Sequence, residues 1–145
     1  MYDDLIIFRE GNAYFGLLAE DFETHIPIDE VKLSPSSFSD TVWSFSDPKT
    51  KLEGFLFHLG MVIGQSFTSI SHQSYLFIRE VNQINLAVML ANYQFRLPAN
   101  QLNSLQVKPP HQAFRRLYRY KKLSILLLDP IALYQSYRSV LPSVR

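Results

Sequence analysis

Histidines are the first side chains in this sequence that could do chemistry, as metal ligands or as general bases. They are His25, His58, His72 and His111. No two of them have the i, i+3 or i, i+4 spacing that puts both on one helix face, and no known metal-ligand spacing joins one to a carboxylate. The sequence therefore predicts neither a metal site nor a cofactor.

Carboxylates are the second candidates, because acids are frequent in the first thirty residues. The candidates for a carboxylate pair are Asp3, Asp4, Glu20, Asp21, Glu23, Asp29 and Glu30. General acid–base catalysis needs a pair held at a defined separation in a cleft, whereas most of these acids lie beside predicted turns. Gly-x-Ser-x-Gly is absent, and five glycines leave little for a phosphate-binding loop. We expect no catalytic residue and a protein that is not an enzyme.

Composition indicates a folded protein, with 47% hydrophobic and 14% aromatic residues in 145. The absence of cysteine excludes disulfides, thiolate nucleophiles and zinc–thiolate sites. Acids stand where a signal peptide needs a basic flank, and no apolar run reaches the length of about 20 residues that a membrane helix needs. We expect a cytoplasmic protein without membrane insertion.

Charge is distributed unevenly along the chain. Residues 1–60 hold 11 acids and 4 bases, whereas residues 107–145 hold 8 bases and one acid. Such a chain could pair with a copy of itself or offer one charged face to each of two partners. Alternatively, the two regions lie side by side in the fold and neutralise each other.

A basic and aromatic segment runs from Phe114 to Lys122. Its cations are Arg115, Arg116, Arg119, Lys121 and Lys122. Strand alternation puts Arg115, Leu117 and Arg119 on one face, and Phe114, Arg116, Tyr118 and Tyr120 on the other. This mixture could bind nucleic acid or a small ligand. Nucleic-acid binding is less favoured than the alternative, an edge strand whose cations discourage aggregation.

A short pattern occurs twice in the chain, which indicates the elements that carry these side chains. Residues 5–19 and 76–91 each contain an apolar run, an Arg-Glu pair, a turn with Asn and a second apolar run. Each reads as a β-hairpin, and each opens one half of the chain. The repeat predicts an all-β protein of two similar small barrels, over residues 1–70 and 75–130.

Further elements follow from local signals. Residues 54–60 and 61–64 read as two strands around a turn at Gly60, and polar residues 65–74 as a linker. Phe114–Tyr120 and Leu123–Leu128 read as a last hairpin. Asp129-Pro130 predicts a capped helix over residues 130–141, which packs on its own domain or docks a partner.

With these elements in place, nearly the whole chain resembles the CheW-like domain, the adaptor of bacterial chemotaxis-type signalling. Leu5–Leu18 resembles the first hairpin of that family. Residues 54–60 stand where the family has Gly-x-x-Asn-Leu-Arg-Gly, and residues 95–98 resemble its next strand and turn. Residues 123–130 look like its closing strand and helix start. The resemblance implies one domain over residues 1–145, built from two intertwined five-stranded SH3-like barrels.

The sequence departs from this family in the region that members use to contact receptors and kinase. Phe57 replaces the family's Asn, Leu59 its Arg, Gly64 its usual Pro and Ala91 its usual Asp. The resemblance implies partner contacts at Phe57, His58, Leu59 and Gly60. Exchange of Leu59 for arginine restores the family residue and is expected to change partner binding more than stability.

The function that the resemblance implies is that of a non-enzymatic scaffold. It would couple a chemoreceptor-type protein to a CheA-like histidine kinase in chemotaxis or pilus-motility signalling. Binding alone would suffice for this role, through a few anchor residues on two interfaces.

Overall fold

The computed structural model describes residues 4–10, 12–35, 41–64, 75–90, 93–98, 100, 103–105 and 108–141, except for the side chains of residues 30, 90, 93, 97, 103, 104 and 116. The fold is mostly β. The first six strands are β1 (Asp4–Glu10), β2 (Ala13–Leu18), β3 (Thr24–Pro27), β4 (Lys32–Pro35), β5 (Val42–Ser46) and β6 (Glu53–Phe57). The other six are β7 (Tyr75–Val81), β8 (Ile84–Leu90), β9 (Tyr93–Pro98), β10 (Asn103–Ser104), β11 (Phe114–Tyr120) and β12 (Leu123–Leu128).

Helices are short in this fold. Those with both ends in the described part of the chain are α1 (Leu59–Val62), α2 (Pro130–Tyr137) and the single-turn 3-10 helices Ala19–Asp21 and Ile28–Glu30. The Asp129 carboxylate accepts hydrogen bonds from the backbone N–H groups of Ile131 and Ala132, at 3.1 and 3.3 Å. Pro130 takes the first helical position, so the predicted cap of α2 is present.

The strands form two six-stranded sheets. Sheet A has the order β10-β11-β12-β2-β1-β9, and sheet B has the order β3-β7-β8-β6-β5-β4. Sheet A curls: Phe95 on β9 lies with its ring centroid 5.4 Å from that of Tyr120 on β11, although three strands separate β9 from β11 in the sheet order. The predicted all-β fold with a C-terminal helix is confirmed.

The two sheets repeat the same strand pairing at a constant offset. In sheet A the parallel strands β12 and β2 pair Ile125 with Tyr14. In sheet B the parallel strands β6 and β8 pair Gly54 with Asn85, and the offset is 71 residues on both strands. The helices follow the rule as well, since α1 begins at Leu59 and α2 at Pro130.

The repeated halves of the chain are exchanged between the sheets. The first hairpin, β1–β2, lies in sheet A with β9 to β12, and the second, β7–β8, lies in sheet B with β3 to β6. The repeat predicts one barrel from residues 1–70 and one from residues 75–130, but each sheet contains strands of both halves. Each sheet combines the hairpin of one half with four strands of the other, because β12 and β6 pair in parallel with the hairpin of the opposite half.

Three apolar clusters hold the sheets. One lies inside sheet A around Leu5, Ile7 and Ile125, and one inside sheet B around Leu56, Leu76 and Met89. The third and largest cluster joins the two sheets and α2. It contains Phe8, Phe15, Val42, Phe57, Leu59, Leu86, Val88, Phe114, Leu133 and Leu141 among its buried residues.

Some local predictions were wrong. The apolar segment after Phe57 was predicted as a strand over residues 61–64, but residues 59–62 form the single-turn helix α1. A run of three apolar residues between two glycines is too short for its pattern to distinguish a strand from a helix. Helix α2 ends at Tyr137, before the predicted end at residue 141. The predicted linker over residues 65–74 lies outside the described residues.

Helix length also bears on the membrane question. In the part of the chain that the structure describes, no helix combines the length and the apolar character needed to cross a bilayer.

Candidate functional site

The four residues predicted to contact partners lie inside the protein. Phe57 is fully buried, Leu59 and His58 are each 1% exposed, and Gly60 is buried as well. Their burial counts against a direct contact by these side chains, and partner binding in this region stays a prediction.

A glycine sets the path of the chain into this segment. An added Cβ on Gly54 would lie 2.1 Å from the backbone oxygen of Asn85. Any larger residue would therefore force the parallel strands β6 and β8 apart. The glycine at the start of the family-like segment has a steric role, and the segment runs from it directly into α1.

A buried carboxylate holds the start of α1. Glu10, at the end of β1, is 4% exposed and accepts a hydrogen bond from the backbone N–H of Gly60. Burial raises the pKa of Glu10, and the bond from Gly60 opposes part of that rise. Glu10 belongs to the Arg-Glu pair of the first repeat. Its contact with Gly60 could not be predicted from the neighbouring residues, because the two residues are fifty positions apart.

His58 lies beside this carboxylate-capped turn and is neutral at physiological pH. Burial lowers the pKa of His58 to about 4. Its ring meets that of Trp43 edge to face, with centroids 5.3 Å apart, and its backbone N–H donates to the carbonyl of Thr41. These contacts are those of a packed core histidine.

Helix α2 covers Phe57 from the other side. The ring of Tyr137 lies 5.1 Å from that of Phe57 and stacks on His111 at 6.2 Å. Burial raises the pKa of Tyr137, and a hydrogen bond with the Thr41 side chain opposes part of the rise. The apolar side of α2 therefore packs on its own domain, which leaves Ile131 exposed by 45% on the other side.

Surface in this region comes from the end of α1. Met61 and Ile63 are half-buried, and Gly64 is exposed. Gly64 has a φ of 88°, the left-handed conformation that favours glycine. The residue pattern predicted a strand here, so Met61, Ile63 and Gly64 were not predicted as partner contacts. The sequence signal for a surface position was an apolar residue directly after the turn at Gly60.

A β-bulge reorganises the basic segment. The pairing of β11 with β12 shifts between Phe114 and Arg116, so the strict alternation predicted for this strand was wrong. Phe114 and Leu117 both join the cluster between the sheets, while Tyr118 and Tyr120 pack on the cluster inside sheet A. A bulge reverses the facing of the residues beyond it.

Because of the bulge, Arg115 is held by carboxylates. Its guanidinium lies 3.2 Å from Asp21 and 3.5 Å from Asp129. Asp21 also pairs with Arg79 at 3.6 Å. Arg115 on sheet A and Arg79 on sheet B thus share one acid, which comes from the 3-10 helix that leads from one sheet to the other.

The other described cations of the basic segment lie on the surface. Arg119, Lys121 and Lys122 are exposed, and the ammonium of Lys121 lies 5.3 Å from the centroid of the Tyr120 ring. The Arg116 side chain lies outside the described part of the structure. The ion pairs of Arg115 offset its charge, so Arg115 adds less than the other described cations to a basic surface of this segment.

Acidic and basic regions of the chain meet in the fold. Asp21, in the acidic first sixty residues, pairs with Arg115, in the basic last part, at 3.2 Å. This contact supports the interpretation that the two parts lie side by side.

Each of the described histidines has its own local contacts. His25 stacks on Phe77 at 5.4 Å, and His111 accepts a hydrogen bond from the backbone N–H of Ala113 at 3.0 Å. His72 lies outside the described residues. Across the described ranges, no group of three or more His, Asp or Glu side chains is placed to hold a metal ion.

Comparison with known proteins gives a fold. No protein-family model matches the chain, and no curated protein matches it. Among solved structures, the scaffolding protein TtCheW from Thermoanaerobacter tengcongensis is similar at 14% sequence identity and a TM-score of 0.64. The match covers 89% of this chain and 90% of that chain. The chain has the CheW-like fold, as the resemblance in its sequence implied.

Proposed function

We propose that this chain, a divergent domain with the CheW-like fold, is a non-enzymatic adaptor that couples a chemoreceptor-type protein to a CheA-like histidine kinase. The observation that carries the proposal is the structural match to a scaffolding protein over nearly the full length of both chains. Because the side chains of Phe57, His58 and Leu59 are buried, the partner surfaces would be formed by their neighbours.

The exchanged topology supports a two-partner scaffold physically. Each sheet takes strands from both halves of the chain, and a single cluster packs the two sheets together. Asp21 adds ion pairs to one arginine on each sheet. Two partners that bind different sheets would consequently be held at a fixed relative position.

The exposed end of α1 is the surface that we assign to one partner. Its half-buried apolar side chains, Met61 and Ile63, are of the kind that fill a partner's pocket, and the glutamate-capped turn holds them in place. A few anchor residues carry most of the binding energy of a typical interface, and methionine is enriched at interfaces relative to the rest of the surface.

Capture of purified fragments tests the proposal. The full chain, immobilised, is expected to retain the cytoplasmic fragment of a chemoreceptor and a CheA-like kinase from the same genome, alone and together. M61K should weaken capture of one of the two. I131K is the matched control, because Ile131 is an exposed apolar residue near the start of the corresponding helix α2. Failure of the folded chain to retain either fragment would refute the adaptor function.

Nucleic-acid or small-ligand binding through the basic segment is the competing function. The ion pairs of Arg115 with Asp21 and Asp129 count against it. Binding of single-stranded DNA at low ionic strength, with an affinity that falls steeply as salt rises, would favour it instead.

A further inference from the structure

A groove opens on sheet A between its edge strand β9 and the turn that joins β11 to β12. Its volume is about 740 Å³, and its lining includes Phe95, Arg96, Tyr120, Lys121, Lys122 and Leu123. The rings of Phe95 and Tyr120 lie 5.4 Å apart and tilted by 40°, so they give the groove an aromatic wall. An aromatic or aliphatic side chain of a ligand would pack against that wall.

Cations form the rim of this groove. Arg96 has a side chain that is 51% exposed, and Lys121 and Lys122 are exposed at the turn. Arg96 is paired with Asp4, but that acid is itself 48% exposed. An ion pair in such a solvated position contributes little and exchanges easily for another carboxylate. The groove thus combines an apolar wall with positive charge.

The corresponding turn of sheet B is built differently, although the topology repeats. It carries Lys49 and Lys51, and Lys51 shares the positive φ of Lys121, 62° against 53°. There, however, Asp47 supplies a carboxylate that binds the hydroxyl of Thr50 at 2.6 Å. The basic, aromatic groove of sheet A is therefore a feature of its own residues rather than a by-product of the repeat.

We propose that this groove binds an acidic segment of a partner protein, with an aromatic side chain of the segment against Phe95 and Tyr120 and its carboxylates on Arg96, Lys121 and Lys122. The inference rests on the adaptor function and names the chemistry of one of its partners. A peptide fits better than a nucleic acid. Arg115, on the same strand as Tyr120, is paired with two carboxylates, so it is less available to a continuous chain of phosphates, whereas the three cations of the rim suffice for a few separate carboxylates.

Fluorescence anisotropy with a labelled peptide, Glu-Glu-Trp-Glu-Glu, tests the inference on the full chain at low salt. The K121Q/K122Q variant removes two rim charges and is expected to weaken binding about tenfold. K49Q/K51Q is the matched control: it removes the same two charges from the corresponding turn of sheet B and should leave the affinity unchanged. Replacing Trp by Ser in the peptide should also weaken binding, because the aromatic contact is lost.

Equal loss of affinity in the two double variants would overturn the inference, since binding would then follow overall charge. It would also be overturned if a labelled oligothymidylate bound more tightly than the peptide and lost that binding in K121Q/K122Q. The capture experiment with kinase and receptor fragments separates the two proposals. Peptide binding without capture refutes the adaptor function, and capture without peptide binding refutes only the groove.

Discussion

The carboxylate of Glu10 accepts a hydrogen bond from the backbone N–H of Gly60, and this bond replaces a local helix cap with a distant one. Under the 71-residue offset, Gly60 corresponds to Ile131, whose N–H donates to Asp129 at 3.1 Å. His58 stands where Asp129 would be and makes no side-chain cap. The start of α1 thus depends on a residue fifty positions away, and β1 and the family-like segment are coupled.

Ionisation of Glu10 should leave a signature in the pH dependence of stability. Burial raises the pKa of Glu10 above its ordinary value of 4.5, so the folded protein keeps a proton that the unfolded chain has released. The free energy of unfolding of the wild type should therefore fall, relative to that of E10Q, as the pH rises from about 4.5 through the raised pKa. Urea denaturation at a series of pH values measures this.

E23Q is the control for the loss of an acid as such, because Glu23 is exposed and lies in the same part of the chain. Parallel profiles for E10Q and the wild type would contradict the buried carboxylate.

His58 should act in the opposite direction. Since burial lowers the pKa of His58 to about 4, the unfolded chain binds a proton at acidic pH that the folded protein excludes. Stability should fall, by on the order of 3 kcal/mol at most, as the pH drops from about 6.5 to about 4. H58Q should lose this dependence, whereas H25Q should keep it, because His25 is exposed. An unchanged slope in H58Q would place the titration elsewhere.

Exchange of Leu59 for arginine should destabilise the protein strongly, whatever its effect on partner binding. Leu59 is 1% exposed within the cluster between the sheets, so L59R buries a charge among apolar side chains. The expected cost is about 3 kcal/mol or more, against less than about 1.5 kcal/mol for the conservative L59M. L59R should therefore lower stability at least as much as it changes partner binding, contrary to the expectation from the sequence. A thermal melt of L59R that matches the wild type would contradict this prediction.

The ion pair between Asp21 and Arg115 should contribute measurably to stability, unlike the exposed pair of Asp4 and Arg96. The Asp21 side chain is only 12% exposed, and its oxygen lies 3.2 Å from Arg115. A double-mutant cycle with D21N and R115Q should give a coupling energy of about 0.5–1 kcal/mol. The same cycle with D4N and R96Q, whose side chains are about half exposed, should give a value near zero. Equal values in the two cycles would show that burial of Asp21 does not matter.

Gly54 should tolerate no side chain. The added Cβ of G54A would meet the Asn85 backbone oxygen at 2.1 Å, and separation of the two strands should cost about 3 kcal/mol. G64A is the comparison: Gly64 has open space around it and only its positive φ to oppose alanine, for a cost of about 1 kcal/mol. If G54A is no less stable than G64A in urea, the close approach of β6 and β8 is not a constraint.

Local signals predicted a large part of the fold. Alternating apolar residues and short turns predicted the hairpins β1–β2, β7–β8 and β11–β12, because these strands pair with their neighbours in sequence. Asp129 and Pro130 predicted the start of α2, because a cap needs only adjacent residues. The candidate site stays a prediction, and the burial of Phe57, His58 and Leu59 could not be predicted from the sequence, because it depends on the packing of distant strands.

The amino-acid sequence by itself determined the repeated hairpins, the strand-rich fold and the start of the last helix, all of which depend on residues close together in the chain. Only the tertiary structure decided that the halves exchange hairpins, that Glu10 caps α1 and that Arg115 faces two carboxylates. These features join residues that lie tens of positions apart, through parallel pairing, burial and a bulge. Such contacts leave no periodic trace in the segments that make them, because either partner alone has the pattern of an ordinary strand or loop.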